Sequence, residues 1–169
     1  VKEIEKYYAQ CEQEGANEYQ IEESQKAVAK MEAIIGDPDI LRAVAEDFIN
    51  HYETRVREGA TVAGKALFVC ANRYIAYDFY KIVTELRPEW AEKKICSDDV
   101  ILDDKDKKEL KPMEKIKLVM TRNKDDEKDL FDMLGTKDDR KEFDRQFKNP
   151  KSNFKIAIVV DMWLTGFDV

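Results

Sequence analysis

The sequence predicts an α/β fold: a parallel sheet flanked by helices and preceded by a helical extension. Three observations carry that expectation. Residues 156–160 are a short apolar run, the pattern of a strand buried on both faces; 66–70 read as a second buried strand and 116–120 as a third strand. Each run delivers a polar loop at its carboxyl end. The segments between them carry apolar residues at helical spacing, so strands and helices alternate as in β-α units.

Taken in order, residues 1–58 read as a helical lead-in. Ile4, Tyr7, Tyr8 and Cys11 share one face, and Gly15-Ala16-Asn17 interrupts the pattern. Ile21, Val28, Met31, Ile34 and Ile35 form a second stripe closed by Gly36. Asp37-Pro38 restarts the helix, Asp as cap and Pro in the first turn, where no amide donor is needed. Leu41, Val44, Ala45, Phe48, Ile49, Tyr52 and Val56 then mark a strongly amphipathic helix. His51, the one histidine, lies within it and has no catalytic partner at useful spacing.

A second region is expected at 59–169. The loop 59–64 leads into the strand at 66–70, and Asn72 caps a helix carrying Ile75, Phe79, Ile82, Val83 and Leu86, stopped by Pro88. Residues 93–97 make a weaker candidate strand, and the charged stretch 98–115 reads as an exposed excursion. The strand at 116–120 follows, then a helix with Leu130, Phe131 and Leu134 stopped by Gly135. Thr136 with Asp139 resembles a capping box for a helix carrying Phe143 and Phe147, which Asn149-Pro150 ends. The last strand begins at Lys155. The sequence stops one residue past its loop, so a piece of a larger protein is expected.

Composition narrows the function. The chain has 169 residues, 43% hydrophobic and 38% charged, enough for one domain with an appendage. No apolar run approaches the roughly 20 residues that span a bilayer, and VKEIEKYYAQ lacks the layout of a secretory signal. Cys11, Cys70 and Cys96 stand too far apart for a metal clamp or disulfide framework. A net charge of −7 argues against an autonomous nucleic-acid module, since phosphate neutralisation dominates such affinity. It leaves room for a lobe that makes a few contacts inside a larger complex.

If the strands are parallel, the loops Asn72-Arg73, Thr121-Arg122-Asn123 and Thr165-Gly166-Phe167-Asp168 lie along one rim, where open α/β sheets bind ligands. Their arginines, threonines, asparagines and backbone amides suit the gripping of phosphates. Taken singly, the first two loops read first as ordinary capping and turn chemistry. The terminal loop does not resemble a simple cap. The loop 59–65, GATVAGK, fits the first seven positions of a GxxxxGK[ST] phosphate loop. Its eighth position is Ala66, without the hydroxyl that ligates magnesium, and it precedes a strand instead of following one.

The order of these loops resembles the second RecA-like motor lobe of the R (restriction) subunit of type I restriction enzymes, a superfamily 2 helicase-like translocase. The matching segments are GKALFVCANRYIAYDFYKIV (64–83), IKLVMTRNKDDE (116–127) and KIAIVVDMWLTGFDV (155–169), with DPDILRAVAEDFINHYETR (37–55) similar to the helical lead-in. VVDMWLTGFDV looks like helicase motif V and LFVCANR like motif IV. Residues 1–36 and 98–115 contribute little.

The resemblance implies a RecA-like fold and a large ATP-driven motor that pumps double-stranded DNA before cutting it. The motor would work with methylation and specificity subunits in the bacterial or archaeal cytoplasm. ATP and Mg2+ would be cofactors of the parent enzyme, clamped between this lobe and a first RecA-like lobe of the same chain. By the same resemblance Asn72, Arg73, Thr121 and Arg122 face the nucleic-acid backbone. Thr165 and Gly166 lie near the backbone or the interlobe cleft, Asp168 approaches the nucleotide ribose, and Asp161 orders the loop. With no phosphate loop, no DEAD-like acidic motif and no motif VI arginines in the segment, the piece alone is expected not to hydrolyse ATP or to hold it. The alternatives are a lobe of another superfamily 2 helicase, or a non-catalytic α/β interaction domain with a helical arm.

Overall fold

The three apolar runs form one parallel sheet in the structure, a computed structural model that describes residue 9 and residues 18–160. In chain order the elements are α1 (Glu18–Ile35), α2 (Pro38–Arg57), β1 (Ala66–Cys70), α3 (Arg73–Leu86), a 3-10 turn (Pro88–Ala91), β2 (Lys93–Lys94), α4 (Asp104–Glu109), β3 (Met113–Glu114), β4 (Ile116–Val119), α5 (Lys128–Leu134), α6 (Lys137–Lys148) and β5 (Ile156–Val160). The chain divides into two compact units, residues 1–40 and 41–169.

In the first unit, α1 carries the expected stripe, but Met31, Ile34 and Ile35 on it are exposed. The helix is held locally, for example by the exposed Lys26–Glu22 pair at 2.8 Å, a contact worth only tenths of a kcal/mol, roughly 0.3–0.5. Asp37 caps α2 as predicted, its carboxylate accepting from the Asp39 and Ile40 amides at 3.0 and 3.3 Å.

The second unit is built around β5. The sheet order is β1-β5-β4, all parallel, with Phe68, Ile158 and Leu118 side by side in register. All five residues of β5 are buried, as its unbroken apolar sequence requires of a central strand. One face of the sheet, with Cys70, Leu118, Ile156 and Ile158, packs against Ala45 and Ile49 of α2, Phe79 and Val83 of α3, and Leu130 and Leu134 of α5. The other face, with Val119, Ala157 and Val159, packs against Phe147 of α6 and Phe154. Lys117 is buried on this face, with its ammonium 3.5 Å from Glu114 and over the Phe143 ring, and desolvation lowers its pKa.

Two expectations need correction. Residues 66–70 read as a buried strand, yet β1 is an edge strand among the described residues: only Cys70 is buried, and Val69 is 41% exposed. An apolar run reports strand propensity but not whether a neighbour lies on each side.

The stretch 98–115 is not merely an exposed excursion. Asp103 and Asp106 form a capping box that starts α4, and Lys151 donates to Asp106 from across the fold. Leu110 and Met113 are buried, and Gln146, 1% exposed, donates to the Glu109 carbonyl at 3.0 Å while accepting from the Lys111 amide at 3.3 Å. Asn153 donates to the Met113 carbonyl at 2.8 Å. The weak strand at 93–97 shortens to β2, which pairs antiparallel with β3 in a separate two-stranded ribbon. Most of its charges sit outside, while Leu110, Met113, the buried Asp106 and the buried amides of Gln146 and Asn153 fasten the segment.

Gly135 marks the sharpest backbone constraint. Its φ of 68° and ψ of −173° lie in a region that only glycine occupies readily. A Cβ there would stand 2.8 Å from Oδ2 of Asp139, the carboxylate that completes the Thr136 capping box. Gly135→Ala is therefore expected to destabilise by about 1–3 kcal/mol. The check is the urea midpoint at unchanged slope; a wild-type midpoint would remove the constraint.

Candidate functional site

Because β1, β5 and β4 run parallel, their carboxyl ends open on one rim, and the loops after β1 and β4 meet there. Asn72 is extended (φ −149°, ψ 171°), and its carboxamide oxygen accepts from the Ile75 amide at 2.9 Å. That cap fixes the first turn of α3 and aims Arg73 across the rim. The Arg73 Nη2 donates to both carboxylate oxygens of Asp126 at 2.7 Å, and its Nη1 donates to the Thr121 carbonyl. Asp126 also accepts from the Asn123 amide at 2.6 Å.

The result is a charge-assisted clamp that ties the β1 loop to the β4 loop, shorter and stronger than a neutral contact. The Arg73 side chain is 24% exposed and that of Asp126 10%, so solvent screens the pair only in part. Arg122, by contrast, lies with its guanidinium 4.2 Å above the Phe131 ring, stacked on an aromatic face. It enters no salt bridge among the described residues and keeps its edge donors for another group. Tyr74 stands 84% exposed immediately after Arg73.

The structure thus brings together Asn72, Arg73, Thr121 and Arg122. Thr165, Gly166, Asp168 and Asp161 lie outside the described residues. Sequence reasoning missed Asp126, because it sits in the charged run at 124–127; a lone arginine in the preceding rim loop was the signal that a carboxylate should face it.

Other candidates have plain structural roles. Burial pushes the Cys70 thiol up to about 12, which keeps it a protonated apolar side chain. His51 is exposed on α2. The GATVAGK loop leads into β1 at the opposite edge of the sheet, with Ala63 and Gly64 at positive φ, and Lys65 donates to the Phe147 carbonyl. No group of three or more metal-ligating side chains occurs among the described residues, and no described helix is long and apolar enough to cross a membrane.

Sequence comparison supplies the relatives. Over 156 residues the chain is 35% identical to the type I restriction enzyme MjaIXP endonuclease subunit of Methanocaldococcus jannaschii, covering 91% of this chain and 12% of that protein. Over 147 residues it is 31% identical to the type I restriction enzyme HindI endonuclease subunit of Haemophilus influenzae, covering 87% of this chain and 12% of the relative. The chain is related to type I restriction endonuclease subunits. It spans about an eighth of the length of these two restriction-subunit relatives. No protein-family profile matches it, and no solved structure matches it.

Proposed function

We propose that the chain is the second RecA-like lobe of the ATP-dependent DNA-translocating motor in a type I restriction endonuclease subunit. It would contribute contacts to the DNA backbone and one wall of the ATP cleft. The observation that supports this reading is the rim: three parallel strands whose carboxyl ends share one side, with the loops after β1 and β4 meeting there. The kinship to restriction endonuclease subunits over about nine-tenths of the chain supports it. On this reading the partners are double-stranded DNA, a first RecA-like lobe of the same polypeptide, and methylation and specificity subunits.

ATP and Mg2+ belong to the parent enzyme. The described residues supply neither a phosphate loop nor a metal-ligand cluster, so their part is to position the rim. Arg122, stacked and free of salt bridges, is the donor best suited to a backbone phosphate. A second reading, a non-catalytic α/β interaction domain, draws on the engagement of Arg73 by Asp126, which is what a purely structural arginine does.

The two readings part on one experiment. In the intact endonuclease subunit, assembled with its partners, the double substitution Arg73→Ala and Arg122→Ala is expected to lower ATP-dependent translocation at least about tenfold, the loss of two charge-assisted phosphate contacts. Translocation at the wild-type rate would sink the rim assignment.

A further inference from the structure

Each strand of the parallel sheet is entered through a lysine: Lys65 before β1, Lys155 before β5 and Lys115 before β4. The register that aligns Ala66, Ile156 and Ile116 places the three lysines in one row. Backbone hydrogen bonds fix it, the Ala66 amide donating to the Lys155 carbonyl at 2.9 Å and the Lys155 amide to the Lys115 carbonyl at 3.0 Å. With neighbouring strands about 4.8 Å apart, the row is roughly 10 Å long.

Like charges side by side on adjacent strands oppose folding. Nevertheless none of the three lysines enters a salt bridge among the described residues. Lys65 donates to the Phe147 carbonyl, and Lys155, 7% exposed, donates to the Pro150 carbonyl at 2.6 Å. Lys115 lies 5.5 and 5.1 Å from the ring centres of Tyr52 and Trp90. Desolvation lowers the pKa of all three, and Lys65 and Lys115 together depress Lys155 further. Glu53 and Glu89 attract Lys115 from a distance.

Lys115 and Lys155 line a cleft of about 650 Å³ together with Ser97 and Asn153, which add polar groups. Lys94 also lines it and faces Asp98 at 3.6 Å, while Glu89 and Asp99 sit on its wall. A volume of this size accommodates a nucleotide-sized ligand.

We propose that Lys115 and Lys155, in this cleft at the amino-terminal edge of the sheet, form an oxyanion site for a phosphoryl polyanion, the chemistry shared by nucleotide phosphates and a nucleic-acid backbone, with Lys65 adding its charge from a neighbouring pocket beside Phe147. It lies at the other end of the strands from the motif rim, so it stands or falls independently of the motor reading.

The test is thermal melting of the 169-residue chain in pyrophosphate against sodium chloride at equal ionic strength. Pyrophosphate should raise Tm by several degrees. Lys155→Met should abolish that rise and should itself melt above wild type in chloride, because it relieves the repulsion along the row. The less buried Lys65→Gln provides a second variant, expected to weaken the pyrophosphate response about twofold, the loss of one nearby positive charge without loss of a direct contact. Competition then separates the sources: displacement of pyrophosphate by ATP alone indicates a nucleotide, and displacement by a short duplex indicates a backbone. An equal response to chloride and pyrophosphate, an unchanged response in both variants, or displacement by neither competitor would overturn the site.

Discussion

Phe79→Ala is expected to destabilise the larger unit by about 3–5 kcal/mol, the range for emptying an aromatic site in a packed core. Phe79 is fully buried on α3. Its ring stacks on Phe68 of β1 with centroids 4.0 Å apart and planes 9° apart, and Phe48 of α2 meets it edge-on at 5.7 Å. Phe48 and Phe68 meet as well, at 5.1 Å. Three elements thus converge on one ring, and β1 has a strand neighbour on one side only among the described residues. Removing the ring opens a cavity where the sheet edge depends most on helix packing. Against a total stability of about 5–15 kcal/mol, the loss is a large fraction. Urea unfolding measures it, with Tyr74→Ala, 84% exposed, as the control expected within about 0.5 kcal/mol of wild type. Equal midpoints for the two variants would mean that this aromatic contact does not hold β1 in place.

That dependence also marks the limit of what the sequence makes legible. The strands at 66–70 and 156–160 announce themselves as apolar runs and that at 116–120 as an apolar stretch broken by Lys117, and parallel pairing follows from the helices between them. The helix stops are equally plain, because Pro88, Gly135 and Pro150 act through local backbone chemistry that needs no partner. Position within the sheet is different: nothing in ALFVC distinguishes an edge strand from IAIVV at the centre, since strand order is set by contacts distant in sequence.

The anchoring of 98–115 fails to show for the same reason. Gln146 and Asn153, which fasten it, lie more than 30 residues away. At the rim, Asn72 reveals its capping role from its neighbours alone, whereas Arg73 and Asp126 are 53 residues apart and reveal theirs only in three dimensions. The lysine row was visible in part, as one lysine before each run, but its charge conflict needs the register to appear.

The second large effect is expected from splitting the Arg73–Asp126 clamp, and its sign differs between folding and DNA binding. Asp126→Ala leaves a partly buried guanidinium facing the Thr121 carbonyl and removes the acceptor of the Asn123 amide. A loss of about 2 kcal/mol follows, above the value for an exposed pair and below that for a fully buried one. Arg73→Ala should destabilise by a similar amount, and the double variant by less than the sum of the two, because the singles share one contact while each also loses one of its own. A double-mutant cycle by urea unfolding should therefore show a coupling of about 1–2 kcal/mol; additive losses would mean that the clamp contributes nothing.

Binding of the intact subunit to duplex DNA should separate the same variants. Asp126→Ala deletes a negative charge at the rim and releases Arg73, so affinity should hold or rise. Arg73→Ala should weaken affinity and reduce the salt slope by about 1 if its guanidinium reaches a phosphate. Equal weakening by both substitutions would make Arg73 a strut that holds the loop for Arg122. Of the two rim arginines, Arg122 would then be the one that grips DNA, stacked on Phe131 and outside any salt bridge among the described residues.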